Sequence, residues 1–203
     1  MIAALYVETG GSYYGLDGVD PWDWTRDARL YAGPHPVVAH PPCQRWGALA
    51  IVNYKRWGGD HNQPGNDGGC FESALGAVNS FGGVLEHPKN SRAWSAFGLK
   101  VPHGVGWHRS GSGYVCEVWQ SAYGHRANKA TWLYCQGMDR PPELNWNRNP
   151  GTHQIGFYDQ RGKDRNKPTL GRRESLATPP AFRDLLISIA RTARDGRNRE
   201  TWV

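Results

Sequence analysis

The sequence predicts an α/β fold in a single domain of 203 residues, with a mostly parallel sheet flanked by helices and many loops. Short apolar runs that end at pairs of glycines or prolines are typical of buried strands. A stretch with apolar residues at three- and four-residue steps lies between two of these runs and is typical of an amphipathic helix. Ten Trp, nine Tyr and 26 Gly indicate that much of the apolar area comes from aromatic side chains set among loops.

The first half of the chain contains three predicted strands and one predicted helix. Residues 2–7 and 36–40 are apolar runs, each followed by a glycine or proline pair. Between 69 and 82 the apolar residues recur at helical spacing, and the pattern stops at a glycine pair. Residues 83–86 form a third apolar run. Because helix and strand alternate, we expect functional groups to gather where the parallel strands end.

The second half begins with two further predicted strands, at residues 114–119 and 130–135. A turn-like Tyr-Gly-His at 123–125 separates them. Residues 137–172 are polar, rich in Asn, Arg and Pro, and show no periodicity. This pattern predicts either an ordered but irregular basic binding segment or a mobile loop.

A closing helix and tail follow at residues 173–203. Thr178 is the predicted N-cap and Pro179 suits the first helical position. The predicted apolar face of this helix consists of Phe182, Leu185, Leu186 and Ile189. With residues 1–136 as a catalytic core and 137–172 as the binding segment, the whole chain, 1–203, forms one domain.

The positive charge lies in the last third of the chain. Residues 1–139 hold 11 Lys/Arg and 11 Asp/Glu, whereas residues 140–203 hold 13 and 7. Clustered cations favour a polyanionic partner, and nucleic acid, DNA first, is the partner we expect. A solvated surface is the alternative. The basic side chains assigned to phosphate binding are Arg161, Lys163, Arg165, Lys167, Arg172 and Arg173.

Several classes of protein are disfavoured by composition. No apolar run approaches the length of a membrane span, and the first residues lack the basic start of a signal peptide, so we expect a cytoplasmic protein without membrane contact. The four cysteines contain no Cys-x-x-Cys pair and the eight histidines no His-x-x-x-His pair. Free thiols and no metal are therefore expected.

Three short segments carry reactive or base-binding side chains. Residues 41–44 (Pro-Pro-Cys-Gln) and 85–88 (Leu-Glu-His-Pro) each follow or end a buried strand, which places Cys43 and Glu86 beside each other. Residues 120–131 begin with Gln120 and contain Tyr-Gly-His-Arg and then Lys-x-Thr. Taken singly, the cysteine is consistent with a small core residue, the glutamate with a surface ion pair and the third segment with an ordinary turn.

Together, and in this order, the segments resemble DNA cytosine-5 methyltransferases. In that family a strand ends in Pro-Cys-Gln with a nucleophilic Cys, and a later strand ends in Glu-Asn-Val or Glu-Asn-Pro. The resemblance covers residues 36–136, and residues 172–180 are weakly similar to the start of the family's closing helix. It implies a reduced methyltransferase-like core with a Rossmann-like sheet.

The resemblance also implies roles for individual residues. Cys43 would attack C6 of a cytosine, Glu86 would donate to N3 and accept from the exocyclic amine, and Arg126 would contact the base. Donation by Glu86 requires a raised pKa, while His40, Arg45 or Arg126 would favour the thiolate. The side chains assigned to substrate binding are His40, Gln44, His87, Tyr123, Lys129, Arg172 and Arg173.

A cofactor is implied by the same resemblance. The family transfers a methyl group from S-adenosylmethionine to C5 of the activated ring. Residues 8–22 resemble its glycine-rich loop, which assigns Gly10, Gly11 and Asp20 to the cofactor, with Asp20 on a ribose. Only about 30 residues separate Gly10 from Pro41, so the cofactor half is short.

Three functions stay open from the sequence. The first is a DNA cytosine-5 methyltransferase-like enzyme that acts through Cys43. The second is a pyrimidine-modifying enzyme with a donor other than S-adenosylmethionine. The third is a non-catalytic nucleic-acid-binding protein that retains a methyltransferase-like core.

Overall fold

A seven-stranded sheet with helices on both faces forms the body of the protein. The structure is a computed structural model, and it describes residues 1–155 and 166–193. The strands are β1 (Ile2–Leu5), β2 (Val19–Trp22), β3 (Val37–Ala39), β4 (Gly83–Pro88), β5 (His108–Ser110), β6 (Gly113–Trp119) and β7 (Ala130–Gln136). The helices are α1 (Leu49–Trp57), α2 (Cys70–Phe81), α3 (Ala93–Ala96), α4 (Arg172–Leu176) and α5 (Pro180–Thr192), with short 3-10 turns at Ala28–Leu30, Asp60–Asn62 and Gln120–Tyr123.

The strand order is β2-β1-β3-β4-β7-β6-β5. Three pairings are parallel, and they join β1 to β2, β1 to β3 and β3 to β4. The other three, which join β4 to β7, β7 to β6 and β6 to β5, are antiparallel. The α/β class predicted from the sequence is confirmed. The prediction of a mostly parallel, Rossmann-like sheet is wrong, because half of the pairings are antiparallel.

Short connections explain the antiparallel half. Two residues separate β5 from β6, and residues 120–129 separate β6 from β7. A parallel neighbour needs a crossover of a dozen or more residues, usually a helix. Neither connection contains an α-helix, so β6 pairs with both neighbours in antiparallel fashion. Residues 40–82, by contrast, contain α1 and α2 and carry the chain to a parallel β4.

Two apolar layers hold the helices against the sheet. On one face α2 packs Phe71, Ala74 and Val78 against β3 and β4, and all three side chains are buried. On the other face α5 packs Phe182 and Leu186 against β1, β3 and β4. The predicted helices between 69 and 82 and near the C-terminus are therefore confirmed.

The start of α5 lies one residue later than predicted. Pro179 is the N-cap residue, with extended backbone, and Pro180 is the first helical residue. A proline disfavours helical backbone in the residue before it, so Pro180 excludes Pro179 from the helix. Thr178 precedes the cap and is directed towards the cavity described below.

Gly83 brings β4 into register beside β3. It has φ +123°, and a Cβ at this position would overlap the backbone of Val37. A side chain would therefore separate the two strands at the start of their pairing. Within residues 1–155 and 166–193, no helix has the length and apolar character needed to cross a membrane.

Candidate active site at the carboxyl ends of β1, β3 and β4

A cavity of about 550 Å³ opens where β1, β3 and β4 end. The chain passes from β1 outward to β2 and then returns to β3 on the other side of β1, so the strand order reverses between β1 and β3. Ligands of open α/β sheets bind at such a point. The cavity is lined by Tyr6, Val7, Glu8, Ser12, Tyr13, His40, Pro41, Pro42, Cys43, Gln44, Glu86, Pro88, Lys129, Arg173, Leu176, Ala177 and Thr178.

Cys43 lies in the turn that follows β3 and lines this cavity. The turn is held by its backbone, because the amides of Trp46 and Gly47 donate to the Cys43 carbonyl at 3.0 and 3.2 Å. Burial raises the pKa of the Cys43 thiol, and the negative charge of Glu86 raises it further, against a smaller opposing effect of Lys129. In the absence of substrate the side chain is therefore a thiol rather than a thiolate.

Glu86 reaches the same cavity from β4, and both of its carboxylate oxygens accept hydrogen bonds. His40 Nδ1 lies 3.1 Å from Oε2, and Gln120 Nε2 donates to Oε1 at 3.1 Å. Burial acts to raise the pKa of this carboxyl. The hydrogen bond from His40 and the charges of His40, Lys129 and His87 outweigh burial, so the pKa lies below its usual value.

The raised pKa that the resemblance required of Glu86 is therefore not what the structure has. Glu86 is ionised at neutral pH, and a proton has to reach it before it can donate to a base. The physical reason is the two hydrogen-bond donors and the nearby cations, which the sequence did not place around this carboxylate.

His40 connects Glu86 to a longer row of polar side chains. The Tyr13 hydroxyl lies 2.8 Å from His40 Nε2, on the side of the ring opposite Glu86. Gln120 Nε2 also donates to Thr131 Oγ1 at 2.9 Å. The row thus fixes the orientation of the carboxylate from both sides.

Sequence reasoning gave no role to Tyr13 or Gln120, although both lie within segments that carry the resemblance. Tyr13 follows the glycine pair, and Gln120 directly follows β6. A polar residue directly after a buried strand is the signal that could have identified Gln120.

Lys129 supplies a cation to the same site. It precedes β7, whose first residues lie at this edge of the sheet because β7 runs opposite to β4. Burial lowers the pKa of the Lys129 amine, against the opposing charges of Glu86 and Cys43. The structure therefore brings together six residues assigned from the sequence, namely Cys43, Glu86, Lys129, His40, Gln44 and Arg173.

His87 is placed elsewhere. Its ring is buried beside Phe71, with centroids 5.1 Å apart, and stacks on Trp94 at 6.2 Å. Successive side chains of a strand point to opposite faces, so Glu86 and His87 occupy different surroundings. Burial lowers the pKa of His87 to about 4, and this neutral core histidine lies outside the cavity lining.

Tyr123 and Arg126 also lie outside the cavity lining. The Tyr123 ring packs on Phe182, and its hydroxyl accepts from the backbone amide of Asn145 at 2.8 Å. Arg126 forms an ion pair with Glu174 of α4 at 2.7 Å. Because α4 and the residues after it form one wall of the cavity, the structure gives Arg126 a contact with this wall rather than with a bound base.

Arg172 and Arg173 both belong to α4, and only Arg173 lines the cavity. Its guanidinium lies 3.6 Å from the Glu8 carboxylate, and 87% of its side chain is exposed. Arg172 is exposed on the same helix. Arg161, Lys163 and Arg165 lie outside the described residues.

The residues assigned to the cofactor do not meet in an open pocket. Gly10 and Gly11 lie in the loop between β1 and β2, outside the cavity lining. Both Asp20 carboxylate oxygens are occupied, by Arg26 and by the indole nitrogen of Trp22 at 2.8 Å. The Asp20 carboxylate is thus already engaged with protein partners. These residues therefore do not fit an adenosyl group in the way that the resemblance assigned them.

Asp23, the first residue after β2, is likewise occupied. Oδ2 accepts from the Thr9 hydroxyl at 2.6 Å and the Tyr14 hydroxyl at 2.7 Å, while Oδ1 accepts from the Thr25 hydroxyl at 2.6 Å. These hydrogen bonds hold the pKa of Asp23 far below its usual range, and the one from Thr25 has the largest effect. Asp23 therefore joins the two loops that follow β1 and β2.

Among the described residues, the reactive side chains are engaged neither in a disulfide nor in a group that could bind a metal ion. All four cysteines are free. In the part of the chain that the structure describes, no three His, Cys, Asp or Glu side chains are grouped so as to hold a metal ion.

The candidate site therefore consists of a thiol, an ionised carboxylate and an amine around one cavity whose volume is typical of small-molecule sites. Comparison with family models, with curated proteins and with solved structures gives no match to this chain.

Proposed function

We propose that this protein is a nucleobase-modifying enzyme that adds the Cys43 thiolate to C6 of a cytosine or a related pyrimidine. One observation carries the proposal. Cys43 and Glu86, at the ends of the adjacent parallel strands β3 and β4, line a single cavity with Lys129, which precedes the antiparallel β7. A cavity of about 550 Å³ is within the range of small-molecule sites and has room for a nucleotide.

The proposed addition uses the three groups as follows. The Cys43 sulfur forms a bond to C6, and the C5–C6 double-bond electrons move towards N3 and C5. Lys129 stabilises the thiolate that forms, since it is the cation that opposes the raised pKa of Cys43. The Cys43 thiol gives its proton to the ionised Glu86 carboxylate, which a hydrogen bond with His40 holds in place, and the protonated carboxyl donates that proton to N3 as the carbon–sulfur bond forms.

The ring that results is nucleophilic at C5 and accepts an electrophile there. Loss of the C5 proton then restores the double bond and expels the Cys43 thiolate. S-adenosylmethionine is the donor that the sequence resemblance implies, and its role stays a prediction. No step above depends on it, because the residues assigned to it are engaged with protein partners.

The non-catalytic alternative is favoured by a specific observation. The pKa of the Cys43 thiol is raised, and Glu86 is one cause. A binding protein needs neither a thiolate nor a proton route, so it would tolerate this pairing of a thiol with a carboxylate. The fully hydrogen-bonded Glu86 is harder to explain in such a protein, and it leads us to prefer the enzyme.

DNA that carries 5-fluorocytosine tests methyl transfer to C5. After transfer to C5 the fluorine cannot leave as a cation, so Cys43 stays bound and the intact mass of the protein rises by that of the DNA. Methyl transfer from S-adenosylmethionine would give this adduct in wild type and not in Cys43→Ala. Cys70→Ala is the matched control, since Cys70 is also partly exposed but lies on α2 outside the cavity. If wild type forms no adduct with S-adenosylmethionine, methyl transfer from that cofactor is contradicted.

A further inference from the structure

A second cluster of cations lies beside the cavity and plays no part in the chemistry proposed above. Trp119, the last residue of β6, carries the Arg148 guanidinium over its ring at 3.8 Å from the centroid. The Lys89 ammonium lies 5.7 Å from the same centroid. We call Trp119, Arg148 and Lys89 the Trp119 cluster.

The Trp119 cluster lies at the same edge of the sheet as the cavity but on the opposite face, because Lys89 and Trp119 share a face with His87 and Glu117 whereas Glu86 points to the other side. Trp119 pairs with Ala130, which follows the cavity residue Lys129. Lys89 follows the cavity residue Pro88, and its amide donates to the Ala130 carbonyl at 3.1 Å. Lys89 is thus one residue along the chain from the cavity lining, and Trp119 lies across the strand pair from the residue that follows Lys129.

The two cations of the cluster differ in their partners. Lys89 is paired with Glu117 at 2.8 Å. Arg148 is exposed, and among residues 1–155 and 166–193 no carboxylate lies within ion-pair distance of it. A guanidinium stacked on an indole keeps the N–H groups at its edge available, and these suit the oxygens of a phosphate.

We propose that the Trp119 cluster binds the nucleotide that flanks the one in the cavity, with Arg148 on its phosphate. This inference rests on the proposed function and identifies the substrate as a single DNA strand rather than a free nucleotide. A base held in the cavity cannot remain paired in a duplex, so a strand must present it unpaired. A cationic groove with aromatic rings is the usual way in which proteins bind such a strand.

Arg109 provides a matched control for Arg148. Its guanidinium stacks over Tyr114 at 4.5 Å from the ring centroid. Tyr114 lies near the start of β6 and Trp119 at its end, so the two cation–aromatic contacts lie at opposite ends of one strand. Arg109→Ala therefore removes the same charge and the same kind of contact far from the cavity.

The test is a binding titration of a short fluorescent single strand of DNA at several salt concentrations. All variants are made in a Cys43→Ala background, so the result does not depend on turnover. We expect Arg148→Ala to weaken strand binding about tenfold, as the removal of one charge-assisted hydrogen bond should, and to reduce the log–log salt slope by about 0.7. Arg148→Lys should keep most of the slope, and Arg109→Ala should bind like its parent.

Deoxycytidine monophosphate, titrated by calorimetry, distinguishes the flanking site from the cavity. Arg148→Ala should leave its affinity unchanged, because one nucleotide fills only the cavity. Equal effects of Arg148→Ala and Arg109→Ala on the strand, or equally weakened binding of strand and mononucleotide, would overturn the inference. If every variant binds the mononucleotide and none binds the strand, the inference fails while the proposed chemistry on a free nucleotide survives.

Discussion

Glu86 shows how strongly the surroundings of one side chain decide its chemistry. The sequence resemblance predicted that this carboxyl belongs to the reactive site, and the structure places it in the cavity with Cys43. It also predicted a raised pKa, which is the wrong direction. Sequence order can place a carboxylate at the end of a strand, but the direction of its pKa shift depends on His40 and Lys129, which come from two other segments.

Replacing Glu86 tests its part in proton transfer. Glu86→Gln keeps a side chain of the same shape but cannot carry a proton to N3, so we expect the rate of base modification to fall about 10²- to 10⁴-fold. Binding of the strand should change much less, because the amide still offers a donor and an acceptor. Single-turnover kinetics and a parallel binding titration measure the two effects. Glu72→Gln, on the surface of α2, is the control, and a Glu86→Gln variant with the wild-type rate would exclude a role in catalysis.

At the scale of the elements, periodic patterns were predictable and short connections were not. The apolar faces of α2 and α5 follow from helical spacing, and both helices were predicted. Only Ala50 of α1 is buried, so this helix has no apolar periodicity that could have predicted it. The alternation within β4 was readable from the sequence, since strand periodicity places Glu86 and His87 on opposite faces. The motif resemblance nevertheless assigned both to one site.

The buried ring of His87 predicts a pH dependence of stability for this part of β4. Its pKa is about 4 in the folded protein against 6.5 for a free side chain, so the unfolded chain takes up the proton first as the pH falls. The free energy of unfolding should therefore decrease between pH 6.5 and 4, by about 2 kcal/mol between pH 7 and pH 5.

Urea unfolding of wild type and His87→Asn at these two pH values checks this expectation. The variant cannot titrate at this position and should lose less stability on acidification, by about the same 2 kcal/mol. The comparison is made within each protein, so any general destabilisation by the substitution cancels. An equal decrease in both proteins would mean that His87 is not a neutral core residue at pH 7.

For the whole molecule, the sequence predicted the class of fold and the edge of the sheet where the site lies. Functional groups do gather at the carboxyl ends of β3 and β4. Lys129 and Arg173 were assigned to substrate binding from the sequence and Tyr13 was not, but the meeting of all three at one cavity could not be predicted, because they come from distant segments. Tyr13 lies between β1 and β2, Lys129 precedes β7, and Arg173 belongs to α4. Only the folded sheet makes these three neighbours.

The basic C-terminal third predicts a salt-dependent attraction for DNA. Of its cations, Arg173 lines the cavity and Arg172 lies beside it on α4. Replacing both with Ala should reduce the log–log salt slope of strand binding by about 0.7 for each phosphate group that the two guanidinium groups bind, equally for all base sequences. Polarisation titrations at several salt concentrations measure this slope.

Arg191→Ala is the control for this charge effect. Its guanidinium donates to the Asp17 carbonyl, before β2 and hence at the opposite edge of the sheet from the cavity. This variant should keep the wild-type slope. An unchanged slope in the Arg172 and Arg173 double variant would show that these cations form a solvated surface.

Hydrogen exchange at C5 of the pyrimidine tests the central claim most directly, because it requires no donor. Addition of Cys43 to C6 makes C5 take a proton from the solvent, and elimination of the thiolate then releases either hydrogen. In heavy water the account predicts that wild type and Cys70→Ala introduce one deuterium into deoxycytidine or deoxyuridine of a single strand, measured by mass spectrometry after digestion. Cys43→Ala should introduce none. Wild-type protein that leaves C5 unlabelled, or Cys43→Ala that labels it equally, would contradict covalent addition by Cys43.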